Sequence, residues 1–251
     1  MVCGTEDAVS TESGSYLGLE FWVDGKTDSE AVALIAQSME SAGGLIGPTA
    51  TVLDATPEAP YRSITEHTRR VVPVSSVDDL GQWVGTNQLV GVEVSGVLTF
   101  SAHPVRVGVS RTRTASTEHP VAALLPDLID WDRGASRPDP TGREARNLFI
   151  QICRSAAPGY GGLFVEFTMP DPSSVKGNGS FFRDVYFRRS FVGDSGFSEL
   201  AAAAGVGPEK ENDDELFVFT TPELGPVSSE SSDGFGSVVE RVLTRVAWSG
   251  A

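Results

Sequence analysis

Residues 90–109 alternate between apolar and polar or small side chains, and this pattern restricts the fold more strongly than any other feature of the chain. A period of two places the apolar residues on one face of a β-strand. A turn at residues 101–104 separates two such runs, so we predict an antiparallel hairpin. The first run contains Val90, Val92, Val94, Leu98 and Phe100, and the second contains Val105, Val107 and Val109.

Helical patterns lie on both sides of this hairpin. Thr27 with Glu30, and Thr141 with Glu144, have the spacing of a capping box, in which a hydroxyl and a carboxylate each accept from a free backbone N–H where a helix begins. Further strands are predicted at residues 16–23, 163–169, 185–192 and 216–220. Because helices and hairpins mix without a regular βαβα order, we predict an α+β fold with mixed or antiparallel sheets and about five helices.

Proline residues mark the candidate domain boundary. Pro120, Pro126, Pro138 and Pro140 interrupt a segment, 114–141, that has no periodic pattern. A connection of this length is uncommon inside a compact domain. The predicted units are a flexible tail at 1–14, a first α+β lobe at 15–113, the Pro-rich connection at 114–141 and a second α+β lobe at 142–251. A single compact domain is the alternative.

Acidic residues are concentrated towards the two ends of the chain. Residues 1–60 contain ten acidic residues and one basic residue, and residues 194–240 contain eleven and one. The segment between them, 61–193, contains thirteen acidic and fifteen basic residues, and the formal net charge of the chain is −15. Such a field attracts cationic partners and repels the phosphates of nucleic acids.

The densest acidic run lies at residues 209–215, which contain five carboxylates. A run of this kind forms either a solvated loop or a surface that binds a cationic partner. We therefore treat its carboxylates as candidate contacts to a basic protein. They belong to Glu209, Glu211, Asp213, Asp214 and Glu215.

The string Gly193-Asp194-Ser195-Gly196 is similar to the nucleophile segment of chymotrypsin-like serine proteases, and residues 97–103 resemble the segment that carries the histidine of that family. The resemblance covers about a dozen residues, and motifs this short match freely. It implies Ser195 as the nucleophile, His103 as the general base and backbone N–H groups that stabilise an oxyanion. The chain then continues with a helical pattern, so the alternative is that Asp194 or Ser195 caps the following helix.

No spacing in the sequence is typical of a metal or cofactor site. The three histidines do not lie four residues from another ligand. Asp127, Asp130 and Asp132 lack the central glycine and closing glutamate of a calcium loop. We predict no metal and no cofactor.

Arg183, Arg188 and Arg189 alternate with aromatic residues, a composition that also occurs in proteins that bind nucleic acid. In a strand, however, Arg188 and Arg189 point to opposite faces and do not form one basic surface. Together with the net charge, this predicts that the arginines pair with acidic segments of the chain and not with nucleic acid.

The expected location is the bacterial cytoplasm. Cys3 and Cys153 are the only cysteines, so a disulfide framework is not expected. The first residues lack the pattern of a signal peptide. No run approaches the roughly 18 apolar residues of a membrane helix. Three lysines against sixteen arginines suggest a GC-rich genome.

These features favour a non-enzymatic, acidic protein that binds a basic protein, as antidote (immunity) proteins bind nuclease toxins. The physical basis is that an acidic surface steers fast association with a cationic cleft. The alternative is a serine hydrolase that uses Ser195 with His103. A third hypothesis is a structural or regulatory module whose acidity serves only solubility.

Overall fold

The computed structural model describes residues 16–54, 68–79, 89–98, 104–110, 121–126, 140–165, 175, 184–204, 209–219 and 233–249. Within these ranges the chain forms ten strands and four helices, and residues 77–79 are also helical. The predicted α+β fold is confirmed.

The strands are β1 (Tyr16–Trp22), β2 (Gly44–Asp54), β3 (Thr68–Pro73), β4 (Leu89–Leu98), β5 (Pro104–Ser110), β6 (Val121–Pro126), β7 (Tyr160–Val165), β8 (Asp184–Arg188), β9 (Glu209–Asn212) and β10 (Glu215–Phe219). The helices are α1 (Asp28–Ser41), α2 (Pro140–Ala156), α3 (Arg189–Ala203) and α4 (Asp233–Ser249). The predicted hairpin of residues 90–109 is confirmed as the antiparallel pair β4 and β5.

The ten strands form one sheet in the order β3-β2-β4-β5-β6-β1-β7-β8-β10-β9, and every neighbouring pair is antiparallel. Strand β1 lies inside the sheet, where Leu19 is opposite Ala123 of β6 and Leu163 of β7. The sheet therefore continues through strands on both sides of the predicted connection at 114–141. The division into two lobes stays a prediction.

The two faces of the sheet carry separate apolar clusters. Alternate residues of a strand point to opposite faces, so Leu19 and Phe21 lie in one cluster while Trp22 lies in the other. The first cluster is covered by α1 and α2, and Phe21 stacks on Phe149 of α2 with ring centroids 5.6 Å apart. The second cluster is covered by α3 and α4, through residues such as Phe197 and Val239.

Helix α1 begins as its sequence predicts. The backbone N–H of Glu30 donates to Oγ1 of Thr27 (3.3 Å), and the backbone N–H of Thr27 donates to Oε2 of Glu30 (2.9 Å). These hydrogen bonds lower the pKa of Glu30, the bond from the backbone of Thr27 having the largest effect. The predicted apolar stripe of Val32, Ile35 and Met39 is buried.

The connection at 114–141 contains a strand that the sequence pattern did not predict. Val121–Pro126 forms β6, which pairs with both β1 and β5. The stretch is a short, continuous apolar run, and periodicity alone does not identify such a run as a strand. The prediction that 114–141 has no regular structure is therefore wrong for this stretch.

Two predicted element boundaries are also wrong. Helix α2 begins at Pro140, whose fixed φ suits the first helical position, so Thr141 lies inside the helix and is not its cap. Strand β8 ends at Arg188 and does not continue to residue 192. Its neighbour β10 begins at Glu215, opposite Arg188, because the chain turns at residues 213–214, and Arg189 begins α3.

Candidate functional site

The acidic run of residues 209–215 forms a hairpin at one edge of the sheet. Glu209 and Glu211 lie on β9, and Glu215 begins β10. Asp213 and Asp214 form the connecting turn, which we call the acidic turn, and both are exposed. The sequence therefore identified the charge of this segment, and the structure shows that it is a paired hairpin and not an open loop.

Arg189 holds the acidic turn against the N-terminus of α3. Its backbone N–H donates to the carbonyl oxygen of Asp214 (2.8 Å), and its Nε–H donates to the carbonyl oxygen of Asp213 (2.5 Å). The guanidinium lies over the ring of Phe197, with Cζ 4.1 Å from the ring centroid. Backbone bonds on one side and a cation–π contact on the other fix the position of the turn.

Two carboxylates lie near this arginine. Nη1 of Arg189 lies 3.1 Å from Oδ1 of Asp194, and Nε lies 3.9 Å from Oδ1 of Asp214. The side chains of Asp194 and Asp214 are 89% and 83% exposed, whereas that of Arg189 is 28% exposed. A partner would therefore meet the carboxylates more readily than the guanidinium. Negative charge beside the start of α3 is also favoured by the helix dipole.

Glu215, the first residue after the acidic turn, links the hairpin to the core. The hydroxyl of Tyr186 donates to Oε1 of Glu215 (3.2 Å). Burial raises the pKa of Tyr186, and the nearby Cys153 and Glu215 raise it further. Burial likewise raises the pKa of the Cys153 thiol, with a smaller contribution from Glu215. Glu215 thus differs from the two residues of the acidic turn, because it also has a structural role.

Ser195 lies on the exposed surface of α3, close to a different charge network. Its hydroxyl donates to Oε1 of Glu199 at 3.4 Å, one helical turn further on. Glu199 also accepts from Arg245 (2.7 Å) and from Arg241 (3.2 Å) of α4. These hydrogen bonds lower the pKa of Glu199, and the one from Arg245 has the largest effect. The network links α3 to α4.

The prediction that Asp194 or Ser195 caps a helix is wrong. Gly193 alone within α3 has non-helical backbone angles (φ 73°, ψ 164°), so the break in the helix lies one residue earlier. Asp194 and Ser195 follow it inside the helix, and the carboxylate of Asp194 is paired with Arg189.

The hydrolase hypothesis stays a prediction, since His103 lies outside the described residues. Within the described part of the chain, the hydroxyl of Ser195 has Glu199 as its side-chain partner. A fluorophosphonate probe that labels the wild type but not Ser195→Ala would support the hypothesis.

Comparisons with known proteins do not assign the chain to a family. No protein-family model matches the sequence, and no curated protein matches it. A solved structure, the Pseudomonas aeruginosa T6SS protein PA0821, is similar to the chain with 11% sequence identity and a TM-score of 0.40, over 93% of this chain and 73% of that chain. At this identity and TM-score the similarity carries no inference about activity or partners, which rest on the residues themselves.

The described part of the chain offers neither a metal-binding cluster nor a membrane-spanning helix. Across the described ranges, no three His, Cys, Asp or Glu side chains come together in a group that would hold a metal ion. Among the helices of the same ranges, none combines the length and the apolar character needed to cross a membrane.

The predicted pairing of arginines with acidic segments is confirmed for two residues. Arg188 binds Asp24, with Nη2 2.7 Å from Oδ1, and Arg189 binds Asp194. Arg183 lies outside the described residues.

Sequence reasoning did not find that Arg189 organises the acidic turn, because the apolar alternation of 185–192 placed it on a strand. No local signal in the sequence would have corrected this, because β8 ends opposite Glu215, where β10 begins.

Proposed function

We propose that the protein is a non-enzymatic, cytoplasmic protein of bacteria that uses the acidic turn to bind a basic protein. By analogy of charge, it acts as an antidote (immunity) protein does when it occupies the cationic cleft of a nuclease toxin. The candidate contacts are Glu209, Glu211, Asp213, Asp214 and Glu215, and the structure adds Asp194.

One observation carries this proposal: exposed carboxylates stand on a turn that Arg189 holds in place. Asp194 and Asp214 are largely exposed, while Arg189 bonds the backbone of the turn and stacks on Phe197. A surface that is already ordered loses little conformational entropy when a partner binds. The acidic turn therefore combines accessibility with a fixed geometry, which is what recognition of a cationic surface needs.

The charge of the whole chain supports the same function through its effect on rates. A net charge of −15 attracts a cationic protein at long range. Electrostatic steering of this kind acts mainly on the association rate and weakens as salt is added. Contacts at the acidic turn would then determine how the encountered partner is held.

The first experiment is affinity capture from the lysate of the producing bacterium, at low and high salt, with mass-spectrometric identification. The captured protein is then purified, and its association and dissociation rates are measured with the wild type and with two double variants. Asp213→Asn/Asp214→Asn alters the acidic turn, and Glu6→Gln/Asp7→Asn is a matched control that removes the same charge at residues outside the candidate contacts. A variant with all five predicted contacts neutralised completes the set.

The proposal expects a basic partner whose association slows by about tenfold or more in the five-site variant. The Asp213→Asn/Asp214→Asn variant should bind more weakly than its matched control. Equal rates for the two double variants would show that net charge alone matters and would remove the acidic turn from the interface. The absence of any basic protein at low salt would count against the function itself.

A further inference from the structure

A groove of about 540 Å³ lies between α1 and residues 75–78. The helix contributes Glu30, Ala33, Leu34, Gln37 and Glu40, which recur every three or four residues and so form one stripe along its side. Along the helix axis, the stripe extends about 15 Å from its first residue to its last. The groove thus has the length of a short peptide segment.

The opposite wall of the groove is fixed by local hydrogen bonds. The backbone N–H of Ser75 donates to Oδ2 of Asp79 (2.9 Å), and the backbone N–H of Asp79 donates to Oγ of Ser76 (3.2 Å). Leu34 and Val77 are half-buried because they pack against the apolar cluster beneath α1. Together they give the groove an apolar strip between walls that are already ordered.

The charges around this strip are mostly negative. Three carboxylates and the ammonium group of Lys26 line the groove, which gives a formal charge of −3 + 1 = −2. Glu40 and Asp78 are exposed, and neither carboxylate has a hydrogen bond or ion pair with a described residue. Glu40 lies near the C-terminus of α1, whose last turn contains no basic residue. A carboxylate is unfavourable at that end of a helix unless a cation approaches it.

We propose that this groove binds an extended, basic segment of a partner protein. An aliphatic side chain of that segment contacts Leu34 and Val77, and lysine or arginine side chains on either side of it pair with Glu40 and Asp78. An extended segment of about five residues spans the 15 Å of the stripe. The groove is a second surface, and the proposal does not depend on the function assigned to the acidic turn.

The test is an NMR titration of the ¹⁵N-labelled full chain with the end-blocked peptide Arg-Ala-Leu-Ala-Arg. In an extended peptide the two arginines and the leucine share one face. We expect chemical-shift changes along the α1 stripe and at residues 75–78, and none with Glu-Ala-Leu-Ala-Glu. The variant Glu40→Gln/Asp78→Asn should bind the basic peptide about fivefold more weakly or worse, the effect of losing two exposed ion pairs.

Loss of folding would not explain that result, because removing the charge of Glu40 from the end of α1 should leave the Tm unchanged or raise it. The matched control Glu6→Gln/Asp7→Asn, which removes the same charge at residues of neither proposed surface, should keep the affinity of the wild type. Three outcomes overturn the proposal: no shift on the stripe at millimolar peptide, shifts confined to the acidic turn, or equal affinity of the groove variant and the wild type. None of these outcomes counts against the function proposed for the acidic turn, which is tested by its own rates.

Discussion

At the scale of single residues, the sequence predicted what kind of partner each arginine has but not what the contact does. The excess of acidic residues at both ends of the chain led to the expectation that central arginines pair internally, and Arg188 and Arg189 do so. The organising contact of Arg189 is with backbone oxygens of the acidic turn. Backbone acceptors are present at every residue, so no sequence pattern identifies the ones that a side chain will find.

Arg189→Gln separates the effect of geometry from the effect of charge. The substitution changes the formal net charge from −15 to −16, so charge alone predicts faster association with a basic partner. If Arg189 holds the turn in a binding geometry, affinity should instead fall, by about tenfold for the loss of one or two charge-assisted hydrogen bonds. Surface plasmon resonance with the purified partner measures the association and dissociation rates. Arg189→Lys keeps the charge but not the planar fork, so its affinity should lie between those of the wild type and Arg189→Gln. Tighter binding by Arg189→Gln than by the wild type would refute the role given to this residue.

At the scale of elements, local signals predicted the interiors of helices and strands better than their ends. The capping box of Thr27 and Glu30 forms as expected because both partners lie within one turn. The similar pair at Thr141 and Glu144 does not mark the helix start, since Pro140 already occupies the first helical position. The end of β8 depends on where β10 begins, about 27 residues later in the chain. The end of β8 is set by its pairing with a distant strand, so a local sequence pattern could not predict it.

The break in α3 should depend on the backbone freedom of one glycine. Gly193 has φ 73° and ψ 164°, a combination that is essentially restricted to glycine. Gly193→Ala is therefore expected to lower the free energy of unfolding by about 1–3 kcal/mol. Gly234→Ala is the matched control, because an added Cβ meets no atom within 4 Å at either position while only Gly193 has a positive φ. Urea denaturation of both variants measures the difference, and equal stabilities would show that the break relaxes without strain.

The contact between α3 and α4 should give a pH-dependent contribution to stability. The pKa of Glu199 is lowered in the folded protein, first by the hydrogen bond from Arg245 and then by that from Arg241. Glu199 therefore contributes fully to the free energy of unfolding at a pH above its pKa in the unfolded chain. This contribution is lost as the pH falls through its lowered pKa in the folded protein.

Glu199→Gln removes this titration, so the stability difference between wild type and variant should be constant near neutral pH and should shrink in acid. Urea unfolding across that pH range measures it. Glu240→Gln, which alters a carboxylate of α4 that forms no ion pair with the described residues, should show no such trend. A difference that persists unchanged in acid would mean that packing, and not charge, explains the effect of Glu199.

At the scale of the whole molecule, the sequence predicted the class of the fold but not the order of its sheet. A period of two shows which residues share a face, yet it does not show which strands become neighbours. Strand β1 lies between β6 and β7, and β2 lies between β3 and β4. The first of these arrangements joins residues that are more than a hundred positions apart, such as Leu17 and Val165. Pairing over such distances depends on tertiary packing, which the local period of a strand does not report.

The net charge should act in opposite directions on folding and on binding. Within the folded chain, 34 acidic residues against 19 basic ones repel one another, so added salt should raise the free energy of unfolding by screening that repulsion. Between the chain and a basic partner the same charges attract, so added salt should slow association, by about tenfold or more over the range in which steering is screened. Urea denaturation and stopped-flow association at matched sodium chloride concentrations measure the two effects. If acidity served solubility alone, the first trend would appear without the second, because no cationic surface would exist for the field to steer.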